Sequence, residues 1–240
     1  MYNLAQELAT FEKQEPLMLF LSLVSMVGGT IQFIEATRLT LRDKVMGFPF
    51  AYYCIVVVHD AGFALNYHYW HTLNFWYTSG ILHGIIFFVI WEIGMILWFL
   101  PKAHKEYASD LPSWAFYAIY AVFQLLVIMA YHMFDLIDDP LDFVGLAPAL
   151  SISVLFMIPF ILRRRSTKGQ SRLMAWAIFI PPATGMLMAA VVVPAIRTPF
   201  YYALVICVYL LGLSYVLLYE YYKRQENSSG RSVHLQSGGA

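Results

Sequence analysis

Asp60 ends the stretch RDKVMGFPFAYYCIVVVHD, a basic turn followed by an apolar run, and it is the side chain here with the most capacity for chemistry. If the run is helical, a rise of about 1.5 Å per residue carries Asp60 roughly 20 Å from Gly47, inside a hydrocarbon layer about 30 Å thick. Charge is expensive at that depth, so a carboxyl group is cheapest to bury as the neutral acid. A neutral acid can protonate a bound substrate or donate a hydrogen bond. Glu92 shares this character, because neither residue has a basic side chain three or four positions away. Glu35 and Glu220 differ: Arg38 lies three residues after the first and Arg224 four after the second, so helical ion pairing accounts for both.

Rings surround Asp60 in the sequence. Tyr53 precedes it by seven positions and Phe63 follows by three, which places both on one helical face with the acid. Trp91 and Trp98 repeat at the same seven-residue spacing, as do Tyr202 and Tyr209. A cavity walled by such rings holds a greasy molecule and stabilises a cation through the ring quadrupoles; plain packing or lipid contact is the other reading of each ring. Among His59, His68, His71, His83 and His132, only His68 and His71 have a short ligand-like spacing, and no second HxxH box accompanies them. No metal site is expected. Residues 200–222 contain no lysine, which excludes retinal bound as a Schiff base in the last span.

These side chains need membrane helices to hold them. The chain has 240 residues, 60% hydrophobic and only 12% charged, with zero formal net charge, which excludes a disordered or nucleic-acid-binding protein. Apolar runs near residues 17–38, 46–67, 74–100, 113–134, 143–163, 173–195 and 200–222 are each long enough to cross a bilayer. The expected fold is therefore an all-α membrane protein, a bundle of seven transmembrane helices over 17–222. It is preceded by an extracytoplasmic segment, 1–16, and followed by a Ser/Gly-rich tail, 225–240, expected to be disordered.

Thirteen of the fifteen basic residues fall at one set of span ends, from Arg38, Arg42 and Lys44 to Lys223, Arg224 and Arg231, leaving Lys13 and Arg197 at the other. The positive-inside rule then puts the N-terminus outside and the C-terminus in the cytoplasm. Tyr67, Tyr69, Trp70, Phe75, Trp76 and Tyr77 suit an interfacial belt at an outer connection. The acidic lead with Glu7, Glu12 and Glu15 lacks a positively charged n-region, so no segment is expected to be removed. Cys54 and Cys207 fall inside spans and are read as small apolar residues. Asp135, Asp138, Asp139 and Asp142, with Pro140, form an acidic outer loop. Pro181 and Pro182 interrupt the sixth span, which predicts a kink, freed carbonyls and a cavity beside them. No internal repeat supports an inverted-repeat transporter.

The pattern from Thr37 to Phe63, TRLTLRDKVMGFPFAYYCIVVVHDAGF, resembles the small seven-span integral-membrane terpene cyclases of fungal meroterpenoid and indole-diterpene pathways and their bacterial relatives. The likeness rests on the basic RDK turn, the Gly-Phe-Pro helix start and the acid at Asp60, together with chain length and span number. Val56, Val57, Val58, His59 and Asp60 stand where that family has Asn-x-x-Trp-Glu, and registration from Thr198 puts Tyr209 where it has a second carboxylate.

The resemblance implies a metal-free, proton-initiated cyclisation of a prenylated or epoxidised isoprenoid, with no cofactor. Asp60 would be the acid, and Glu92 or Tyr209 its partner. Tyr53, His59, Phe63, Trp91 and Tyr202 would line the substrate site, with His83, Gln124, His132 and Asp135 as further polar contacts. The expected partners are the lipid bilayer and a hydrophobic small molecule, in the plasma membrane of a bacterium or the endoplasmic reticulum of a eukaryote. Two alternatives use the same residues: a non-enzymatic protein that binds or moves a small hydrophobic molecule or a proton, and a sterol-isomerase-like enzyme that shifts a double bond.

Overall fold

Backbone amides and carbonyls find no water in hydrocarbon, so long apolar runs satisfy them within a helix. The computed structural model describes residues 4–66, 68, 76–135 and 143–237, and all its regular structure there is helical. In chain order the helices are α1 (Leu4–Lys13), α2 (Glu15–Asp43), α3 (Phe50–Leu65), α4 (Trp76–Tyr107), α5 (Ser113–Asp135), α6 (Phe143–Arg164), α7 (Arg172–Val192) and α8 (Pro199–Ser237). A short 3-10 turn, Pro194–Ile196, precedes α8. Among the described residues, five helices are long and apolar enough to cross a membrane, those within α2, α4, α5, α7 and α8. At 16 residues α3 is shorter, reaching about 24 Å.

Helix α7 is the centre of the bundle: α2, α6 and α8 all pack on it, while α4, α5 and α6 pack on α3. Gly28 lets α2 approach α7, since a Cβ there would overlap the Pro181 ring. Gly212 does the same for α8, where a Cβ would come within 2.9 Å of the Phe179 ring. Gly62 lets α3 approach α5 beside Tyr131. Helix α1 docks against α7, with Phe11 buried in a cluster that includes Met18, Phe63, Leu82 and Ile85.

The turn between α2 and α3 is pinned at several points. Lys44 adopts the left-handed conformation, φ 60°, and its N–H returns to Thr40 at 3.0 Å, closing α2. The Gly47 amide donates to Thr40 Oγ1 at 3.0 Å, and Gly47 lies so near Ala36 that a Cβ would sit 3.1 Å from its backbone. Arg164 donates to the Met46 carbonyl at 2.8 Å, and the Gly169 amide to Asp43 at 2.8 Å. The RDKVMGFP segment is thereby fixed to the α6–α7 connection.

That same end of the bundle carries most of the ion pairs. Glu35 takes a forked pair of bonds from Arg38 at 2.8 and 2.9 Å and a third from Ser171 at 2.6 Å. Glu106 pairs with Arg164. Glu220 pairs directly with Arg172 on α7, because α7 and α8 pack side by side, and the expected partner Arg224 adds a longer-range attraction along the helix. Helix α8 also runs past Arg224, where a disordered tail was expected, and Glu226 accepts bonds from the amide and hydroxyl of Thr167 and from Ser166.

The expected belt residues Tyr67, Tyr69, Trp70 and Phe75, with His71 and the loop residues Asp138, Asp139, Pro140 and Asp142, lie outside the described residues. So do the side chains of Trp76, Tyr77 and Asp135.

Candidate functional site

Between the α2–α7 pair and the α3–α4 pair the bundle leaves a cavity of about 140 Å³. Its wall is almost wholly apolar, with Met26, Phe33, Val56, Phe63, Ile85 and Phe88 among the lining residues. Helix α3 brings His59 and Asp60 into this wall, and α7 contributes Pro181 and Pro182. The cavity therefore lies beside the proline pair, as the sequence predicts, although α7 continues as one helix through both residues.

Asp60 is 8% exposed and His59 7%. His59 Nδ1 and Asp60 Oδ1 are 2.7 Å apart, a hydrogen-bonded pair between consecutive residues. With Nδ1 bearing the proton, the imidazole donates to Oδ1 and leaves Oδ2 as the remaining carboxyl oxygen. Tyr131 presents its ring edge-on to the imidazole with centroids 5.9 Å apart.

Glu92 stands behind the wall. It is fully buried, and neither carboxyl oxygen has a hydrogen-bond partner among the described residues. Its carboxyl interacts electrostatically with that of Asp60, and Tyr52, on the cavity wall, feels both acids. The Tyr52 hydroxyl donates to Gln32 Oε1 at 3.4 Å, and Gln32 Nε2 donates to the Ala177 carbonyl. A polar thread thus runs from α7 through α2 to α3, ending beside the two acids. Sequence reading singled out neither Gln32 nor Tyr52; an amide in the middle of an apolar α2 was the available signal.

Of the other expected site residues, Phe63 lines the cavity and Trp91 flanks it, its indole N–H donating to Thr37 at 3.1 Å while its ring meets Phe33. Tyr53 does not reach the cavity wall: it is fully buried among Phe48, Tyr52 and Phe99. Tyr209 packs edge-on against Phe179, between α7 and α8, and is not among the cavity-lining residues. Tyr202 is 42% exposed and borders a separate groove with Leu17, Leu187 and Arg197. His83 is exposed and bonds to the Ser79 carbonyl of its own helix at 2.6 Å. Gln124 donates to the Cys54 carbonyl at 3.1 Å, joining α5 to α3, and His132 is exposed near the end of α5.

Comparison with models of known protein families, with curated proteins and with solved structures finds no match. The chemistry of the site therefore rests on its residues. A mainly apolar chamber with one hydrogen-bonded acid in its wall and a second acid behind it suits proton donation to a hydrophobic molecule, because apolar side chains hold the molecule while the acid is positioned beside it.

Proposed function

We propose that this protein is a seven-span membrane enzyme of the terpene-cyclase kind, which isomerises a prenylated or epoxidised isoprenoid by protonating it from Asp60. In this reading α3 and α6 complete the seven spans, and the basic ends of the helices face the cytoplasm. The single observation that supports it most is the place of Asp60: a buried carboxyl group, held by His59, in the wall of an apolar cavity.

The reaction conserves atoms. His59 holds Oδ1, so the acidic proton resides on Oδ2 and passes to the epoxide oxygen, or to an alkene carbon, of the bound substrate. The epoxide C–O bond breaks, a neighbouring alkene supplies its π electrons to the resulting cation, and a ring closes. Loss of a proton from carbon ends the sequence and restores the acid, so product and substrate have equal mass. Phe33, Phe63 and Phe88 line the chamber in which the cation forms, and their ring quadrupoles stabilise it. Glu92 takes the place of the partner acid, in preference to Tyr209, because it interacts with Asp60 and Tyr209 lies elsewhere.

The test is conversion of an epoxidised prenyl-aromatic compound by membranes holding the protein. A cyclised product of unchanged mass is expected, and its loss in Asp60→Asn. Undiminished turnover in Asp60→Asn would sink the assignment. Flux across proteoliposomes driven by a pH gradient, with the compound unchanged, would replace it with a transport reading.

A further inference from the structure

The cavity is smaller than the molecules it is proposed to accept. An engineered cavity of ~150 Å³ takes up benzene, so a chamber of about 140 Å³ holds about one six-carbon unit. A chain of several isoprene units must extend beyond it, and the α2–α4 side, where the partly buried lining residues Ser25, Met26, Gly29 and Ile81 stand together, offers the way out.

On the α7 side the wall is sealed by the close approach of α2, with Gly28 against Pro181. On the α3 side, α3 and α4 pack along each other, and α6, which lines the chamber with Ala149 and Leu150, packs on both α3 and α7. Between α2 and α4 the contact is made by side chains: Phe33 stacks on Phe88 with centroids 5.2 Å apart, and Thr37 binds Trp91. Away from these bridges the lining residues Ser25, Met26 and Gly29 of α2 and Ile81 of α4 are only partly buried. Their neighbours Leu23, Val27 and Ile86 are exposed, as lipid-facing residues are.

Two residues shape this gap. Met26 Cε reaches across to α4, lying 2.8 Å from where a Cβ on Gly84 would be, so a flexible thioether chain spans the cleft opposite a glycine. Gly29 lines the cavity one turn further along α2, and a Cβ there would meet no atom within 4 Å. The lining is open where Gly29 stands and closed by a movable side chain where Met26 stands.

We propose that the cavity encloses only the oxygen-bearing head of a linear isoprenoid, while its hydrocarbon tail lies in the α2–α4 cleft and reaches the bilayer, with Met26 as the movable closure and Gly29 as the residue that keeps the passage open. The polar end of such a molecule meets Asp60, and the tail meets mainly apolar side chains and lipid. Selectivity follows: the head must fit the chamber, and tail length is tolerated. The inference rests on the isoprenoid reading of the Asp60 site, but it concerns binding and does not require turnover.

Photolabelling of the full chain in lipid nanodiscs tests it, using farnesol with a diazirine at the tail end. Label is expected on α2 between Leu21 and Thr30 and on α4 between Ile81 and Phe88, competed by unlabelled farnesol. Gly29→Phe should lower labelling about tenfold, with Gly29→Leu as a smaller second obstruction. Gly94→Phe, which adds the same bulk at an exposed position on α4, should leave it unchanged. Label distributed over lipid-facing residues without competition, or unchanged by both Gly29 variants, overturns the binding mode. Labelling as expected without cyclisation of any substrate would keep this mode and remove the enzyme assignment; cyclisation with label on α7 and α8 would do the reverse.

Discussion

Gln32 donates its side-chain N–H to the carbonyl of Ala177, the oxygen that Pro181 leaves without a helical partner. Proline has no amide hydrogen, so the bond that residue 181 would return to residue 177 is missing from α7. A buried carbonyl left unpaired costs about 1–3 kcal/mol, and an amide from α2 fills the vacancy. The other end of the same amide accepts from Tyr52, so the missing hydrogen bond in α7 is wired to the face of α3 that carries Asp60.

Replacing Gln32 with Leu should therefore lower stability by about 1–3 kcal/mol, read as a lower unfolding midpoint in detergent. The companion variant Pro181→Ala restores an N–H for Ala177. In the double variant the loss should be smaller than the sum of the two single losses, with a coupling of about 0.5–3 kcal/mol. Strictly additive losses would show that the Gln32 contact with Ala177 carries no energy.

The glycines give a pair of opposite signs. Gly28→Ala drives a methyl group into the Pro181 ring at the α2–α7 contact, an overpacking that costs about 1–3 kcal/mol. Gly94→Ala adds its methyl in open space on a helix, where alanine is better than glycine by up to about 1 kcal/mol. Thermal unfolding of the two variants side by side checks both signs.

Much of this arrangement is legible in the sequence, and the parts that are not have a common cause. Asp60 and His59 stand out because polar groups are rare in an apolar run, and Pro181 and Pro182 because proline disrupts the hydrogen-bond ladder wherever it sits in a helix. Both signals are local. Tyr53 shows the limit: its spacing from Asp60 is right for a shared face, but α3 is buried on several sides, and it is Tyr52 that faces the cavity. Helical spacing assigns residues to faces and says nothing of what each face meets. The same holds for Glu220, whose partner along the helix was visible in the sequence while the stronger one, Arg172, is adjacent only after α7 and α8 pack. Gln32 was missed because a neutral amide raises no alarm until its carbonyl partner is known.

Glu92 separates stability from function. A buried carboxyl group without hydrogen-bond partners is a burden on the fold, so Glu92→Met, of similar length and apolar, should leave the unfolding midpoint unchanged or raise it. Turnover should fall, because the second acid beside Asp60 is gone. A variant that loses both stability and turnover would mark Glu92 as a structural group and remove it from the proposed chemistry.

His59 is proposed to act through Asp60 alone, which makes its effect conditional. His59→Phe keeps a ring against Tyr131 and deletes the bond to Oδ1, so the acidic proton is no longer confined to Oδ2. Loss of a positioned proton donor costs about 10²–10⁴-fold in rate, and misdirecting it should cost less, on the order of tenfold. In an Asp60→Asn background there is no acid left to orient, so the same His59 substitution should produce no further loss. Measured on residual turnover, equal rates for Asp60→Asn and the double variant support a positioning role. A second drop would mean that His59 touches the substrate itself and transfers a proton of its own.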